Sequence, residues 1–209
     1  LRCRGQIYVD KTALIHELAS RPEKFFLTRP RRFGKSLLVS TFASLFKNGL
    51  KHFSGLAMEK LWKDRTYSVV EIDFSKAKGF NSFEDFEEKA RSVVVRAFAR
   101  AGFVLDQSQA SDWIGQISDW MEGLPANSLV LLIDEYDAPH TECLGDKELF
   151  DKIRKFFAGF YANVKSNDAC LRFMFMTGIA KFNQTGIFSE LNNFTDISLD
   201  PMYGTLLGY

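Results

Sequence analysis

The stretch LVLLID, at residues 129–134, is a continuous apolar run that ends in a carboxylate. A run of this length without polar alternation is typical of a β-strand that is covered on both faces. Further short stretches with the character of strands lie at residues 24–28, 67–74, 171–177 and, as a last candidate, 195–199. The chain is therefore expected to build a sheet whose inner strands are buried.

Longer stretches with apolar residues at helical spacing separate these strands, at residues 11–20, 35–46, 82–101, 111–121 and 147–164. Strands that alternate with helices predict crossover connections, and hence a three-layer α/β fold with a mainly parallel central sheet flanked by helices. No repeat or Gly/Pro/Ser-rich linker divides the sequence, so we expect a single domain over residues 1–209. The apolar, turn-rich ending MYGTLLGY contains no closing element, which suggests that this domain is truncated at its C-terminal end.

Composition excludes several classes of protein. With 27 Lys and Arg against 26 Asp and Glu, the net charge of +1 gives no general attraction to nucleic acid or membranes. Positive charge is concentrated in RPRR at residues 29–32, so nucleic-acid binding stays open. No apolar run is long enough to cross a bilayer. The three cysteines and three histidines lack metal-site spacing, and we interpret the cysteines as reduced thiols of a cytoplasmic protein.

Gly34-Lys35-Ser36 has the ending of a phosphate-binding loop, between a predicted strand and a predicted helix. The helix N-terminus directs unpaired N–H groups and a positive dipole at an anion. Lys35 is expected to reach the β- and γ-phosphates of a nucleotide, and Ser36 to offer its hydroxyl to Mg²⁺. Arg29 stands where such loops usually open with glycine, so a chance GKS at the start of a helix is the alternative.

Asp134 and Glu135 form an acidic pair directly after the buried run. A phosphate loop needs a carboxylate at the carboxyl end of a neighbouring strand to hold Mg²⁺, usually through water, and Asp134 fits that position. Glu135 is expected to polarise the attacking water as a general base. One acid at this place is often only part of a solvated turn, but a pair is much less common. Together the two motifs predict nucleotide binding.

The predicted strand at 67–74 lies between the phosphate loop and Asp134 along the chain. This arrangement indicates the branch of P-loop ATPases that carries a catalytic glutamate (ASCE-type). In that branch the next strand ends in a polar residue that senses the γ-phosphate, which here is Thr177, although a threonine in this place is often only a local cap. Lys181 is a candidate for stabilising charge on the γ-phosphate, with a solvated loop lysine as the alternative.

The motifs YVDKTALI, FFLTRPRRFGKSLL, VVEIDFS, LVLLIDEYDAP, FMFMTGIAKF and NNFTDISLDPMYGTLLGY cover almost the whole chain. With them the sequence resembles the bacterial and archaeal AAA-ATPase-like proteins, whose larger members pair this ATPase region with a nuclease-like domain of the PD-(D/E)XK type. RPRRFGKS is the most specific motif, because the family uses arginine where other phosphate loops use glycine. The resemblance implies that Arg29 is the family's own variant, and that Pro30 fixes the turn instead.

The expected site residues follow from the motifs and the resemblance together. We expect nucleotide contacts from Arg31, Arg32, Phe33, Gly34, Lys35, Ser36 and Leu37, metal binding by Ser36 and Asp134, and catalytic roles for Glu135, Lys35 and Thr177. Three other polar positions have structural alternatives. Asp10 either caps the first helix or lies near the adenine, Asp73 either caps a turn or lies near Mg²⁺, and Asp137 is expected at the surface or behind the ligands.

The first functional hypothesis is Mg²⁺-dependent binding and hydrolysis of ATP that drives a conformational change. The alternative is a nucleotide-binding switch that holds ATP or ADP, turns over little, and needs a partner, a homo-oligomer or a C-terminal nuclease-like domain. A third and weaker hypothesis is a nucleic-acid-binding module that uses the RPRR patch.

Overall fold

The computed structural model describes residues 9–181 and 194–208. Its helices are α1 (Thr12–Ala19), α2 (Lys35–Asn48), α3 (Ala57–Leu61), α4 (Phe83–Ala99), α5 (Trp113–Glu122), α6 (Ala138–Glu142) and α7 (Lys147–Ser166). Its strands are β1 (Lys24–Thr28), β2 (Ser68–Asp73), β3 (Leu129–Asp134), β4 (Leu171–Gly178) and β5 (Thr195–Asp196). No helix in the described ranges combines the length and the apolar character needed to cross a membrane.

The strands form one sheet in the order β2-β3-β4-β1-β5, and every pair is parallel. The helices between successive strands form the crossover connections that parallel pairing requires. This arrangement confirms the three-layer α/β fold of a P-loop NTPase. It also corrects one detail, because β3 does not neighbour β1. Strand β4 is inserted between them, so the phosphate loop and Asp134 are separated by the width of one strand.

Two apolar clusters fill the spaces on the two faces of the sheet. On one face, Phe42 of α2 contacts Phe173 and Phe175 of β4 with ring centroids 5.0 Å apart. On the other face, Phe157 of α7 meets Phe74, which follows β2, at 4.8 Å. Strands β3 and β4 are buried along their whole length. The phenylalanine-rich composition therefore serves core packing and holds the strand ends in place.

The predicted strands at 24–28 and 129–134 have the observed bounds. The prediction 67–74 is one residue too long at each end, and 171–177 is one residue too short at its end. The last candidate, 195–199, is wrong in length, since β5 ends at Asp196. The carboxylate of Asp196 accepts a hydrogen bond from the Ser198 backbone at 2.9 Å, and this local turn ends the strand. Helices α3 and α6 were not predicted, because five residues are too few to show helical periodicity.

Candidate functional site

The carboxyl ends of β1, β3 and β4 meet at one edge of the sheet, because all strands run in the same direction. Residues 29–34, here called the phosphate loop, connect β1 to α2 at this edge. The Cα registers pair Leu27 with Thr177 and Asp73 with Asp134. The fold thus brings the phosphate loop, the acidic pair and Thr177 to the same side of the molecule, as the sequence predicted.

The phosphate loop contains two left-handed residues, Arg32 with φ 67° and Gly34 with φ 89°. Alternating handedness turns successive backbone N–H groups toward one side and forms a concavity that suits an anion. A left-handed backbone costs a non-glycine residue about 1–2 kcal/mol, so Arg32 carries local strain and Gly34 avoids it. The carbonyl of Gly34 then accepts a hydrogen bond from Leu38 at 3.0 Å and starts the first turn of α2. The loop has the backbone of a phosphate-binding turn despite its missing first glycine.

The ammonium group of Lys35 is held against the phosphate loop. Its Nζ donates hydrogen bonds to the carbonyls of Arg29 at 2.9 Å and Pro30 at 3.0 Å, and the residue is buried. Both acceptors are neutral, and within the described residues Lys35 forms no ion pair with a carboxylate. Its positive charge is therefore positioned at the loop without being neutralised, which is the state needed to attract a phosphate.

Asp134 is 6% exposed and faces the start of α2 across β4. Its Oδ1 accepts a hydrogen bond from the Glu135 backbone at 3.0 Å, and the Ser36 side chain lies near enough to affect its pKa. Burial raises the pKa of Asp134 most strongly, the Ser36 side chain lowers it, and the nearby charges of Asp73 and Glu135 raise it further. Negative charge is thus concentrated at a place where a cation would be favourable.

Ser36 and Asp134 provide only part of a metal site. In the ranges that the structure describes, no group of three or more His, Cys, Asp and Glu side chains has the arrangement of a metal centre. This does not conflict with Mg²⁺, which is usually bound by one or two protein ligands together with phosphate oxygens and water. The donor set fits a magnesium ion that arrives with a nucleotide.

Glu135 follows β3 in a left-handed conformation, with φ 48°, and is half-buried. Its Oε2 lies 3.7 Å from the Nζ of Lys78, which is a long and partly exposed ion pair. Its charge is close enough to Asp134 to raise that pKa. The strained backbone turns the chain sharply as it leaves β3 and places Glu135 beside the proposed metal ligand.

Thr177 lies near the end of β4, between β1 and β3, and is fully buried. Its hydroxyl has no hydrogen-bond partner among the described residues, which is unusual for a buried polar group. Lys181 instead forms an ion pair with Asp196 of β5 at 2.6 Å. That contact supports a surface role for Lys181 in this structure, while Thr177 stays a candidate for contact with a ligand.

The arginines of the RPRR patch differ in their surroundings. The Arg29 guanidinium bonds to the carbonyls of Thr28, at 3.0 Å, and Ser198, so it joins the end of β1 to the segment that follows β5. This contact gives Arg29 a structural role at the end of β1. Arg31 and Arg32 are exposed, and their side chains form no hydrogen bond or ion pair with the described residues. They are the two arginines of the patch that a ligand can reach without breaking such a contact.

The segment at 203–208 packs against the phosphate loop, a contact that the sequence analysis missed. The Cδ2 of Leu207 lies 3.9 Å from where a Cβ on Gly34 would stand, and Phe33 lies 3.2 Å from the corresponding point on Gly208. Phe33 and Leu37 nevertheless remain 43% and 47% exposed. No local pattern in MYGTLLGY predicts this contact, because it depends on the tertiary path of the chain after β5.

The contacts of three aspartates bear on the alternatives given above. Asp10 accepts hydrogen bonds from the backbones of Thr12, at 2.9 Å, and Ala57, at 2.8 Å, so it ties the start of α1 to α3, while the N-cap position itself is Lys11. Asp73 caps the turn after β2 through a hydrogen bond from the Ser75 backbone, which was one of its two alternatives. Its charge also raises the pKa of Asp134. The surface alternative for Asp137 is wrong, since this residue is 1% exposed and bonds to the end of β4.

The chain is similar to a curated protein and to parts of larger solved structures. The chain is 34% identical over 203 residues to an uncharacterized protein in the vnfD 5′ region of Azotobacter chroococcum mcd 1; this covers 97% of the chain and 39% of the relative. The chain therefore spans well under half of that relative's length. Structures of Drosophila ORC bound to AT-rich or GC-rich DNA and Cdc6 match 88% of the chain and 26% of theirs, at 13% identity and TM-scores of 0.41 and 0.42.

A family model described as "Predicted AAA-ATPase" matches residues 1–188, which include the phosphate loop, the acidic pair and Thr177. Together with the P-loop fold, this match supports a nucleotide-binding P-loop ATPase in general terms. The chain therefore belongs to the AAA-ATPase-like family.

Proposed function

We propose that the chain binds ATP with Mg²⁺ at the phosphate loop and hydrolyses it. The observation that carries the proposal is the approach of Ser36 to the buried Asp134, which brings the start of α2 and the end of β3 together across an intervening strand. A helix that began with GKS by chance would have no reason to meet a buried carboxylate in this way. Both groups are ligands that Mg²⁺ prefers.

The loop and α2 provide the binding groups in this proposal. Backbone N–H groups at 32–35 and the ammonium of Lys35 hold the β- and γ-phosphates. The exposed side chains of Arg31 and Arg32 add positive charge on the solvent side of the phosphates. The half-exposed Phe33 and Leu37 offer apolar contact to the nucleotide. These contacts are made in the ground state and the transition state alike, so they contribute mainly to affinity.

The acidic pair provides the metal and base functions. Ser36 and Asp134 hold the metal, which when bound neutralises charge that develops on the phosphate oxygens. Glu135 accepts the proton of the attacking water, and the unpaired hydroxyl of Thr177 contacts the γ-phosphate. We further propose that hydrolysis changes the conformation of the loop and its neighbours.

The alternative is a nucleotide-binding switch with little turnover, and one contact favours it. Lys78 lies 3.7 Å from Glu135 and competes for the carboxylate that the enzyme would need as its base. On this hypothesis a partner, a homo-oligomer or a C-terminal nuclease-like domain releases Glu135 and completes the site. Because the chain spans 39% of its relative, such partners are proposals that rest on the family resemblance.

The test compares affinity with turnover for matched variants. Lys35→Ala should weaken ATP binding strongly, whereas Glu135→Gln should keep ATP bound and reduce phosphate release by on the order of a hundredfold or more. Lys47→Ala is the control, because Lys47 belongs to the same helix but pairs with Glu71 near the far end of α2. Affinity is measured by isothermal titration calorimetry and turnover by release of inorganic phosphate.

Each outcome decides between the hypotheses. Parental turnover in Glu135→Gln would remove Glu135 as the base. A parent chain that binds ATP tightly but releases no phosphate would favour the switch. If neither the parent nor the control binds ATP, the nucleotide site itself is refuted.

A further inference from the structure

Asp137 is a buried carboxylate that the proposed reaction does not use. Its Oδ2 accepts hydrogen bonds from the backbones of Ile179, at 2.9 Å, and Ala180, at 3.0 Å, in the turn after β4. Its Oδ1 is also buried and has no hydrogen-bond partner among the described residues. An ionised group in such a place costs free energy unless the contacts that it makes are strong, and carboxylate bonds to backbone N–H groups are strong.

Tyr136 reinforces the same connection. Its backbone donates to the Thr177 carbonyl at 3.2 Å, and its hydroxyl donates to the Ala180 carbonyl at 2.7 Å. Its ring is fully buried and packs edge-on against Phe26 of β1 at 5.4 Å. The hydrogen bonds of Tyr136 and Asp137 to residues 177–180 are here called the β3–β4 clamp. On the β3 side the clamp starts at Tyr136, the residue after Glu135. On the β4 side it includes the backbone of Thr177.

Gly178 shows how closely the clamp fits. A Cβ at this position would lie 2.5 Å from the Asp137 Oδ1 and 2.7 Å from carbons of the Tyr136 ring, distances that real Cβ atoms essentially never show. Only glycine lets the end of β4 approach the carboxylate this closely. The glycine after Thr177 is therefore required by the side chains of the neighbouring strand end, and its backbone is fixed by them.

We propose that Asp137, supported by Tyr136, is a positioning residue that fixes Thr177 relative to Glu135 in the nucleotide site. The proposal rests on the proposed function, because it assigns a role within the same reaction. In this proposal the carboxylate acts through the backbone of residues 177–180, where it accepts the hydrogen bonds of Ile179 and Ala180. Small displacements of positioned groups can cost a large part of the rate while leaving ground-state binding almost unchanged.

The groups around Asp137 explain why its charge matters. The charge of Asp137 adds to burial in raising the pKa of the Tyr161 hydroxyl, which is itself buried without a hydrogen-bond partner among the described residues. No Lys or Arg in the described ranges forms an ion pair with Asp137. The hydrogen bonds from the two backbone N–H groups are therefore the main interactions that offset the cost of burying the Asp137 carboxylate. A carboxylate also holds these N–H groups more firmly than a neutral acceptor would.

The test uses Asp137→Ala and Asp137→Asn in the 209-residue chain. Asp137→Ala should leave the ATP dissociation constant within about threefold and lower the turnover rate by about tenfold to a hundredfold. Asp137→Asn should recover part of that loss, since an amide oxygen can still accept both N–H bonds. In Asp137→Ala the amides of Ile179 and Ala180 should exchange with deuterium faster than in the parent, because their acceptor is gone.

Asp146→Ala is the matched control. The Asp146 Oδ1 also accepts a backbone hydrogen bond, from Leu149 at 3.0 Å, but at the exposed start of α7 and away from β4. This variant should lose stability in urea and keep the parental turnover of its folded fraction. Parental turnover in a folded Asp137→Ala whose two amides exchange faster would overturn the proposal. So would a loss of turnover that merely follows the unfolded fraction, as in the control.

The outcome for the parent separates this proposal from the proposed function. If the parent binds ATP but does not hydrolyse it, the hydrolysis proposal fails and the clamp is judged by the ratio of ATP to ADP affinity. Asp137→Ala should reduce that ratio by about twofold to threefold, because Thr177 no longer discriminates the γ-phosphate, whereas Asp146→Ala should keep it. An unchanged ratio in Asp137→Ala would refute the clamp independently.

Discussion

Replacing Asp134 with asparagine should stabilise the nucleotide-free protein and at the same time remove its response to Mg²⁺. The Asp134 carboxylate is 6% exposed, and burial together with Asp73 and Glu135 raises its pKa above the ordinary 3.8. An ionised group with a raised pKa is less favourable in the folded than in the unfolded chain, so at neutral pH it costs stability. Asparagine keeps an oxygen for Ser36 and removes the charge.

The expected gain in the free energy of unfolding is on the order of 1 kcal/mol, which is the usual size of the effect of one stabilising substitution. For a chain of this size, that corresponds to a rise of about 2–4 °C in Tm. The size of this gain in stability depends on pH. Below the unfolded pKa both states are protonated and Asp134 costs nothing, and the cost appears as pH rises through the folded pKa. The advantage of Asp134→Asn should therefore be present at neutral pH and disappear under acid conditions.

Urea unfolding measures this difference when both proteins are studied at neutral pH and at a pH near the ordinary pKa of aspartate. The effects of the other acidic residues are shared by the two proteins and cancel in the comparison. Adding Mg²⁺ and ATP should raise the stability of the parent and leave the variant nearly unchanged. A variant less stable than the parent at neutral pH would refute the argument that charge is concentrated here. An equal response of both proteins to Mg²⁺ and ATP would remove Asp134 from the metal site.

Two further predictions concern the phosphate loop. Gly34→Ala introduces no close contact but places alanine at φ 89°, so it should cost about 1–2 kcal/mol in thermal unfolding and weaken ATP binding measured by calorimetry; parental affinity would show that this loop conformation is not the binding one. If Arg31 and Arg32 serve nucleotide phosphates, duplex DNA should bind weakly in fluorescence anisotropy, with a shallow dependence on salt. A steep salt slope that Arg31→Ala/Arg32→Ala flattens would favour the nucleic-acid hypothesis instead.

The sequence was most informative where one element carries its own signal. The buried runs gave β1 and β3 their bounds, because a strand covered on both faces has to be apolar throughout. The grouping of Lys35, Ser36 and Asp134 was also predictable, since parallel strands bring their carboxyl ends to one edge. The roles assigned to these residues stay predictions until nucleotide binding is measured.

Contacts between distant parts of the chain could not be read from local patterns. Asp137 has the sequence context of a solvated acidic turn, and its burial depends on backbone N–H groups 42 and 43 positions further along. Arg29 stands where other phosphate loops open with glycine, and its guanidinium bonds to a carbonyl 169 positions away. In both cases a partner supplied by tertiary structure decides the role, and no residue near the position indicates it.

The position of β1 in the sheet has a consequence for the order in which the chain can assemble. Strands β2 and β3 each pair with the strand that follows them along the sequence, but β1 pairs only with β4 and β5. The backbone of Thr28 bonds to the Ser198 side chain, 170 positions away. Closing so long a loop costs chain entropy that only late, long-range contacts can repay. We therefore expect the phosphate loop to acquire its shape late in folding, after the local pairing of β2, β3 and β4.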